Sequence, residues 1–387
     1  MEHLLAQADA LIRAGHHQEA ITLLDSCAAP SSGKLKALYL KGVALFYSGQ
    51  IDAGIDTMEE LSRRSGDNAR IHRTLAGMLL REHRWERATR AFRRVYELRP
   101  HHFSAMREMV TTLASWCQES DGRAAPPAPP PQPIFADDRL LSVIICSIDR
   151  GKEERVVAMY QRLLAGLRTE FICIRDARSL SEGYNRGIDE SSGAILLFSH
   201  DDVDVLSPNF AEYLLLHLAR FDLVGVAGTS RLVDGSWVSS GWPWTHGMVV
   251  QPLPQHACYA LNLYNTRPGF TPGIQAMDGL FLAVNRRVVE QIRFDAERFD
   301  GFHHYDLDFT FSAWRAGFSL AVCNDFLFLH ESSGVYDDRW LLYRDRFHAK
   351  HQKYFIALPE QKNGLIAIRF KRIEQVQAFW KRLAVFG

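Results

Sequence analysis

The chain of 387 residues sets 45 Lys plus Arg against 45 Asp plus Glu, with 47% hydrophobic and 11% aromatic residues. At roughly 150 residues per domain this length implies two or three domains with real cores, and it excludes wholesale disorder and collagen-like repetition. The balanced charge removes the global positive field of a general nucleic-acid binder and argues against nucleic acid as a partner.

Apolar runs such as Leu140–Cys146 and Ala194–Phe198 fall short of the roughly 18 residues needed to span a bilayer. The amino terminus has no basic segment followed by an unbroken apolar stretch, so the expectation is a cytoplasmic chain. Six cysteines, Cys27, Cys117, Cys146, Cys173, Cys258 and Cys323, stand far apart without a Cys-x-x-Cys pair. That spacing predicts packed thiols rather than disulfides or a zinc knuckle.

Residues 1–120 repeat. An offset of 34 aligns Ala8, Gly42 and Ala76; Leu11, Leu45 and Leu79; Ala20, Gly54 and Ala88; and Leu24, Met58 and Phe92. Small residues recur where two helices approach and large apolar ones where they seal the interface, the requirement of stacked helical hairpins. Over residues 2–119 the pattern resembles the tetratricopeptide repeat, with three copies, turns at Gly15 and Gly49, Pro100 closing the third copy, and a capping helix over 101–118. The resemblance implies a surface that docks a protein partner or acceptor, or a second copy in a homo-dimer. Arg81, Arg84, Arg87, Arg90, Arg93 and Arg94 crowd the third copy; they suit an acidic peptide, although a solvated helix face has the same composition.

Residues 121–138 turn proline-rich, a semi-rigid extended spacer and a domain boundary. The remainder alternates strand and helix. Leu140–Cys146, Phe171–Arg175 and Ala194–Ser199 read as strands, the first a continuous apolar run covered on both faces, with helices over 153–167 and about 181–190 between them. Two such crossovers imply a right-handed, doubly wound, mostly parallel sheet over residues 139–336. Polar residues cluster where the strands end, as Ser147 and Asp149, Asp176, and His200-Asp201-Asp202, and ligands bind at that edge of open α/β sheets.

The order of GYNRGI (183–188), the apolar strand running into HDDV, DGLFLAVNRRVVEQIRFD (278–295), YDLDFTFSAWRAGF (305–318) and His330 resembles a family-two glycosyltransferase of the GT-A fold. The resemblance implies an inverting transferase that moves a sugar from a nucleotide-sugar donor, UDP-linked, to an acceptor hydroxyl. It places Asp202 and His330 on a Mn²⁺ or Mg²⁺ ion, Asp201 on the donor ribose or sugar, Asp176 on the nucleotide base, and Asn185 and Arg186 near the donor, with Ser147 and Asp149 at the first strand end. Asp278 and Gly279 fall on the acceptor side, and Asp306 is the general base. A divalent ion is needed because charge grows on the leaving diphosphate. Two positions depart from the family pattern: His200 stands first where Asp-x-Asp is usual, and Tyr305 stands where Glu often precedes the base. Asp308, two residues on, suits a structural or capping role, and Arg186 also suits a surface pair with Asp189. Trp242 and Trp244, with His246 and Tyr264, offer aromatic faces to an acceptor sugar or ordinary packing. The tail over 337–387 is expected to be helical and basic, packed on the domain or lying on the inner face of a membrane beside a lipid-linked acceptor. A second reading is a scaffold that binds nucleotide sugar without turnover.

Overall fold

The computed structural model describes residues 2–26, 33–100, 102–123, 138–332, 334, 336–357 and 363–386. They form two compact units, the first ending at Ser120 and the second beginning at Asp121. Most of the proline-rich spacer (124–137), Cys27 and His101 lie outside the described residues.

The first unit consists of α1 (Glu2–Arg13), α2 (His17–Asp25), α3 (Lys34–Tyr47), α4 (Ile51–Arg64), α5 (Ala69–Arg81), α6 (Trp85–Leu98) and α7 (Phe103–Glu119). The second helices of the hairpins open at His17, Ile51 and Trp85, the 34-residue register of the sequence. Ala8, Ala20, Ala76 and Ala88 are fully buried, and a Cβ on Gly54 would lie 2.6 Å from the Phe46 nitrogen, so small residues mark the close helix approaches. Gly15 and Gly49 take positive φ in the turns, and His83 takes the same turn of the third copy at φ 54°. The crowded arginines are neutralised within the array. Arg84 pairs with Asp52, Arg87 with Glu59 (2.6 Å), Arg90 with Glu86 (2.7 Å), and Arg93 and Arg94 with Glu97 (3.0 Å each), while Arg81 stacks over Tyr47. These pairs replace the open cationic face an acidic peptide would need.

The second unit runs β1 (Leu141–Cys146), α8 (Arg150–Leu163), β2 (Thr169–Ile174), α9 (Leu180–Glu190), β3 (Ile195–Ser199), β4 (Val203–Val205), α10 (Phe210–Leu218), β5 (Leu223–Gly225), β6 (Ala227–Thr229), β7 (Thr245–Leu253), β8 (Cys258–Leu263), β9 (Phe270–Pro272), β10 (Ala276–Met277), β11 (Phe281–Asn285), α11 (Arg286–Val289), α12 (Tyr305–Arg315), β12 (Leu320–Cys323), β13 (Phe328–His330), α13 (Asp338–His351), β14 (Ile366–Phe370) and α14 (Ile373–Phe386). One sheet has the order β2-β1-β3-β11-β5-β12-β9. β1, β2, β3, β5 and β12 share one direction and β11 and β9 oppose it, giving the mixed sheet of a GT-A-like fold. Val143, Ile144, Ile145 and Ile195 to Phe198 are fully buried, which is why these strands read as unbroken apolar runs. A second sheet, β10-β6-β7-β13-β4, is extended by β8 and β14.

The tail is not all helical. β14 pairs antiparallel with β8, with Ile366, Ile368 and Phe370 buried and Ala367 and Arg369 exposed, the two-residue alternation of a half-covered strand. On α14, Val376, Phe379, Trp380 and Leu383 are buried, and Trp380 Nε1 donates to the Asn324 carbonyl (2.9 Å). The apolar face that a membrane-surface role requires is occupied in packing.

Candidate active site

A cleft of about 940 Å³ opens at the edge where β1 and β3 end, lined by Ser147, His200, Asp201, Asp202, Asp278, Gly279, Tyr305, Asp306 and His330 among others. Strand direction explains why segments so distant in sequence meet there. β11 runs against β3 with Phe281 opposite Ser199, so the entry to β11 lies beside the exit from β3, and the His200 nitrogen donates to the Leu280 carbonyl (3.1 Å). β13 runs against β4 with His330 opposite Val203, and the Glu331 nitrogen donates to the Asp202 carbonyl (3.0 Å). Asp278 and Gly279 thus join the acidic turn from one side, and His330 from the other.

Three side chains converge. His330 Nε2 lies 3.3 Å from Asp202 Oδ1, His200 Nδ1 lies 3.2 Å from His330 Nε2, and His200 Nδ1 lies 3.9 Å from Asp202 Oδ1. Ligands held roughly 2.0–2.2 Å from one ion sit about 3.0–3.6 Å apart when their angles lie between octahedral and tetrahedral, so the triangle accepts a divalent cation with small side-chain rotation. Burial opposes charge on Asp202, yet its hydrogen bond to His330 and the adjacent imidazoles hold its carboxyl well below the usual range. Burial and His330 push His200 down to about 4, which leaves a neutral imidazole at physiological pH. Burial also disfavours charge on His330, but Asp202 outweighs it and raises that imidazole.

Asp306 occupies the first turn of α12, and its Oδ2 accepts from the Gly279 nitrogen (2.8 Å). Burial and the neighbouring Asp278 carboxylate push it up to about 7. Gly279 is required here: a Cβ would sit 2.6 Å from the Asp306 Cβ and collide with the Tyr305 hydroxyl. Asp278 accepts from Trp237 Nε1 (3.3 Å) and the Leu280 nitrogen (3.1 Å). Asp201 accepts from the Ser147 hydroxyl (2.5 Å). Asp308 turns away into a buried cluster with His351 (2.7 Å) and Lys350 (2.8 Å) that ties α12 to α13.

Other expected residues stand outside the cleft lining. Asp149 caps α8 by accepting from the Lys152 nitrogen (3.0 Å), which starts that helix at Arg150 rather than 153. Asp176 is exposed and pairs with Arg186 (2.9 Å), while Asp189 is taken by Arg293 (2.7 Å). Asn185 grips the backbone of Phe294, donating to its carbonyl (2.8 Å) and accepting from its nitrogen (3.1 Å). In the same motif Gly183 and Gly187 let α9 close onto Cys146 and Ile144 of β1, so much of GYNRGI serves packing. Trp242 is buried with its backbone against Gly364, and Trp244 stacks under Arg231 at 4.4 Å. The aromatic wall is instead Trp237, Tyr264, Tyr336 and Trp340, of which only Tyr264 was singled out by sequence. Tyr305 is a further cleft residue, its hydroxyl 2.7 Å from His200 Nε2; its place where the family often has Glu was the available signal.

Among solved structures, the chain is similar to MamA from Desulfovibrio magneticus RS-1 (20% identity, 30% of this chain, 64% of that one, TM-score 0.27). It is also similar to a mutant O-GlcNAc transferase from Thermobaculum terrenum (18% identity, 44% and 36%, TM-score 0.26) and to GalNAc-T7 with UDP, GalNAc and Mn²⁺ (11% identity, 51% and 45%, TM-score 0.32). The chain therefore spans less than two thirds of each of these proteins, and at such scores they add no weight to an assignment. Comparison with curated proteins gives no match. A family model described as a glycosyltransferase-like family matches residues 142–357, the stretch that builds the first sheet, all of the second but β14, and most of the cleft lining. The chain belongs to this glycosyltransferase-like family.

Proposed function

We propose that the chain is an inverting, metal-dependent glycosyltransferase that moves a sugar from a UDP-linked donor to an acceptor hydroxyl. The observation that carries this reading is the Asp306 carboxyl, held by the Gly279 N–H, facing the same cleft as the His200, Asp202 and His330 cluster. A divalent ion held by Asp202 and His330 would neutralise charge growing on the leaving diphosphate. Asp306 takes the proton from the attacking hydroxyl, its pKa matched to working pH, and the Gly279 N–H fixes its orientation. Attack from the face opposite the leaving group inverts the anomeric carbon. Asp201, oriented by Ser147, is assigned to the donor ribose or sugar, and Asp176 with Arg186 to the nucleotide at the rim. The wall of Trp237, Tyr264, Tyr336 and Trp340 gives an acceptor sugar faces to stack on. The helical repeats are assigned to docking a protein partner or acceptor.

The test is UDP release from a panel of UDP-sugars with Mn²⁺. Asp306→Asn is expected to lower turnover about 10³-fold while UDP affinity stays unchanged. Tight UDP binding without turnover by the wild type on any donor would instead identify a non-catalytic nucleotide-sugar scaffold.

A further inference from the structure

The two departures from the family pattern touch each other. His200 Nε2 lies 2.7 Å from the Tyr305 hydroxyl, and that hydroxyl donates to the Gly279 carbonyl (3.3 Å). When the tyrosine hydroxyl donates to Gly279, its oxygen is free to accept from His200 Nε2. In that arrangement the imidazole proton sits on Nε2, and Nδ1 is left as a lone pair. That lone pair points at Asp202 Oδ1 and His330 Nε2 (3.9 and 3.2 Å). His330 Nε2 is crowded as well, with the Ser332 hydroxyl 3.0 Å away in addition to Asp202 and His200. One ring nitrogen offers one proton or one lone pair, and a cation placed among His200 Nδ1, Asp202 Oδ1 and His330 Nε2 would engage all three converging atoms at once.

We propose that His200 is itself a metal ligand through Nδ1, held in that tautomer and orientation by Tyr305, and that this pair sets the site for Mn²⁺ against Mg²⁺. Two imidazoles and one carboxylate form a borderline donor set. Mg²⁺ favours oxygen ligands in a strict octahedron and keeps its waters, whereas imidazole suits first-row transition ions. Tyr305 is a positioning residue in this scheme, of the kind that donates nothing to the ion yet fixes the ring that does. The inference rests on the metal-dependent reading above and deepens it.

The experiment uses the full chain with UDP and Mn²⁺. Calorimetry measures Mn²⁺ and Mg²⁺ affinity, and pulsed electron paramagnetic resonance counts ¹⁴N nuclei coupled to bound Mn²⁺. The wild type is expected to show two coupled imidazoles and to bind Mn²⁺ at least about 10-fold more tightly than Mg²⁺. His200→Asp should remove one imidazole coupling and narrow the Mn²⁺ preference, and His330→Ala should remove the other. Tyr305→Phe, which deletes one oxygen, should weaken Mn²⁺ about 10- to 100-fold with the melting curve and metal-free UDP affinity retained as a folding control. Mn²⁺ bound with a single coupled imidazole that survives His200→Asp overturns the assignment alone. Absence of any Mn²⁺ binding in the presence of UDP overturns it together with the metal-dependent function. Unchanged metal affinity in Tyr305→Phe overturns the positioning role.

Discussion

The repeat array and the transferase unit differ in the sequence distance over which their parts meet. In the array each small residue serves a helix in the same or the next hairpin, as Gly54 does against Phe46. In the cleft, His200 meets His330 and Tyr305 from 130 and 105 positions away. Near contacts leave a period that one sequence displays, whereas distant contacts leave only chemistry at strand ends and need topology to bring them together.

Substitutions sharpen that contrast. The largest effect is expected at Asp308, buried with His351 and paired with the half-buried Lys350 across α12 and α13. Asp308→Ala strands the fully buried His351, while Lys350 keeps Asp295, and should cost about 3–5 kcal/mol in denaturant unfolding; a loss under about 1 kcal/mol would deny the clamp. Gly279→Ala pushes the start of α12 away from β11, and a displacement on the order of 1 Å should lower kcat about 10²-fold with donor KM little changed. Full activity would mean that Asp306 need not be held. In the array, Gly54→Ala overpacks one hairpin and should cost about 1–3 kcal/mol, with faster hydrogen exchange confined to α3 and α4. Spread of that exchange into β1 and β3 would break the distinction between near and distant contacts.

The smallest expected change is a pH-dependent one. The Asp306 carboxyl, raised to about 7 from an unfolded value of about 3.9, favours the folded state in acid and withdraws that contribution as pH rises through about 7. Asp306→Asn should therefore match the wild type below about pH 4 and exceed its melting temperature by about 2–4 °C or more near pH 8. In the wild type, kcat/KM should climb through about pH 7 to a plateau as the base loses its proton. A melting difference independent of pH would place the carboxyl in a water-like setting.

The helices of the array were legible because Ala8, Gly42, Ala76 and their companions keep one register. β1 and β3 were legible because burial on both faces demands an apolar run, and the polar residues after them located the cleft edge. The span of α9 was legible, while the packing of Gly183, Gly187 and Asn185 against β1 and Phe294 was not visible in GYNRGI, which resembles a donor-side motif. Trp237 lies just before the aromatic segment that drew attention in the sequence, and what sets it in the cleft is a distant partner, the Asp278 carboxylate that accepts from its Nε1 (3.3 Å). β14 was hidden because the basic residues around IAIRF suggested a helix face, although its alternation was visible. His200 registered as a missing aspartate, since nothing local to it announces the Tyr305 hydroxyl.

The reversed direction of β11 has a further consequence. His200, Asp201 and Asp202 arrive where strand β3 leaves the sheet, while Asp278 and Gly279 arrive where β11 enters it. Between them in the chain lies the long excursion through β6 to β10 that supplies Trp237 and Tyr264. Lengthening or exchanging that excursion would redraw the aromatic side of the cleft without shifting His200 or Asp202; on the function proposed above, evolution can change the acceptor while leaving the donor the same.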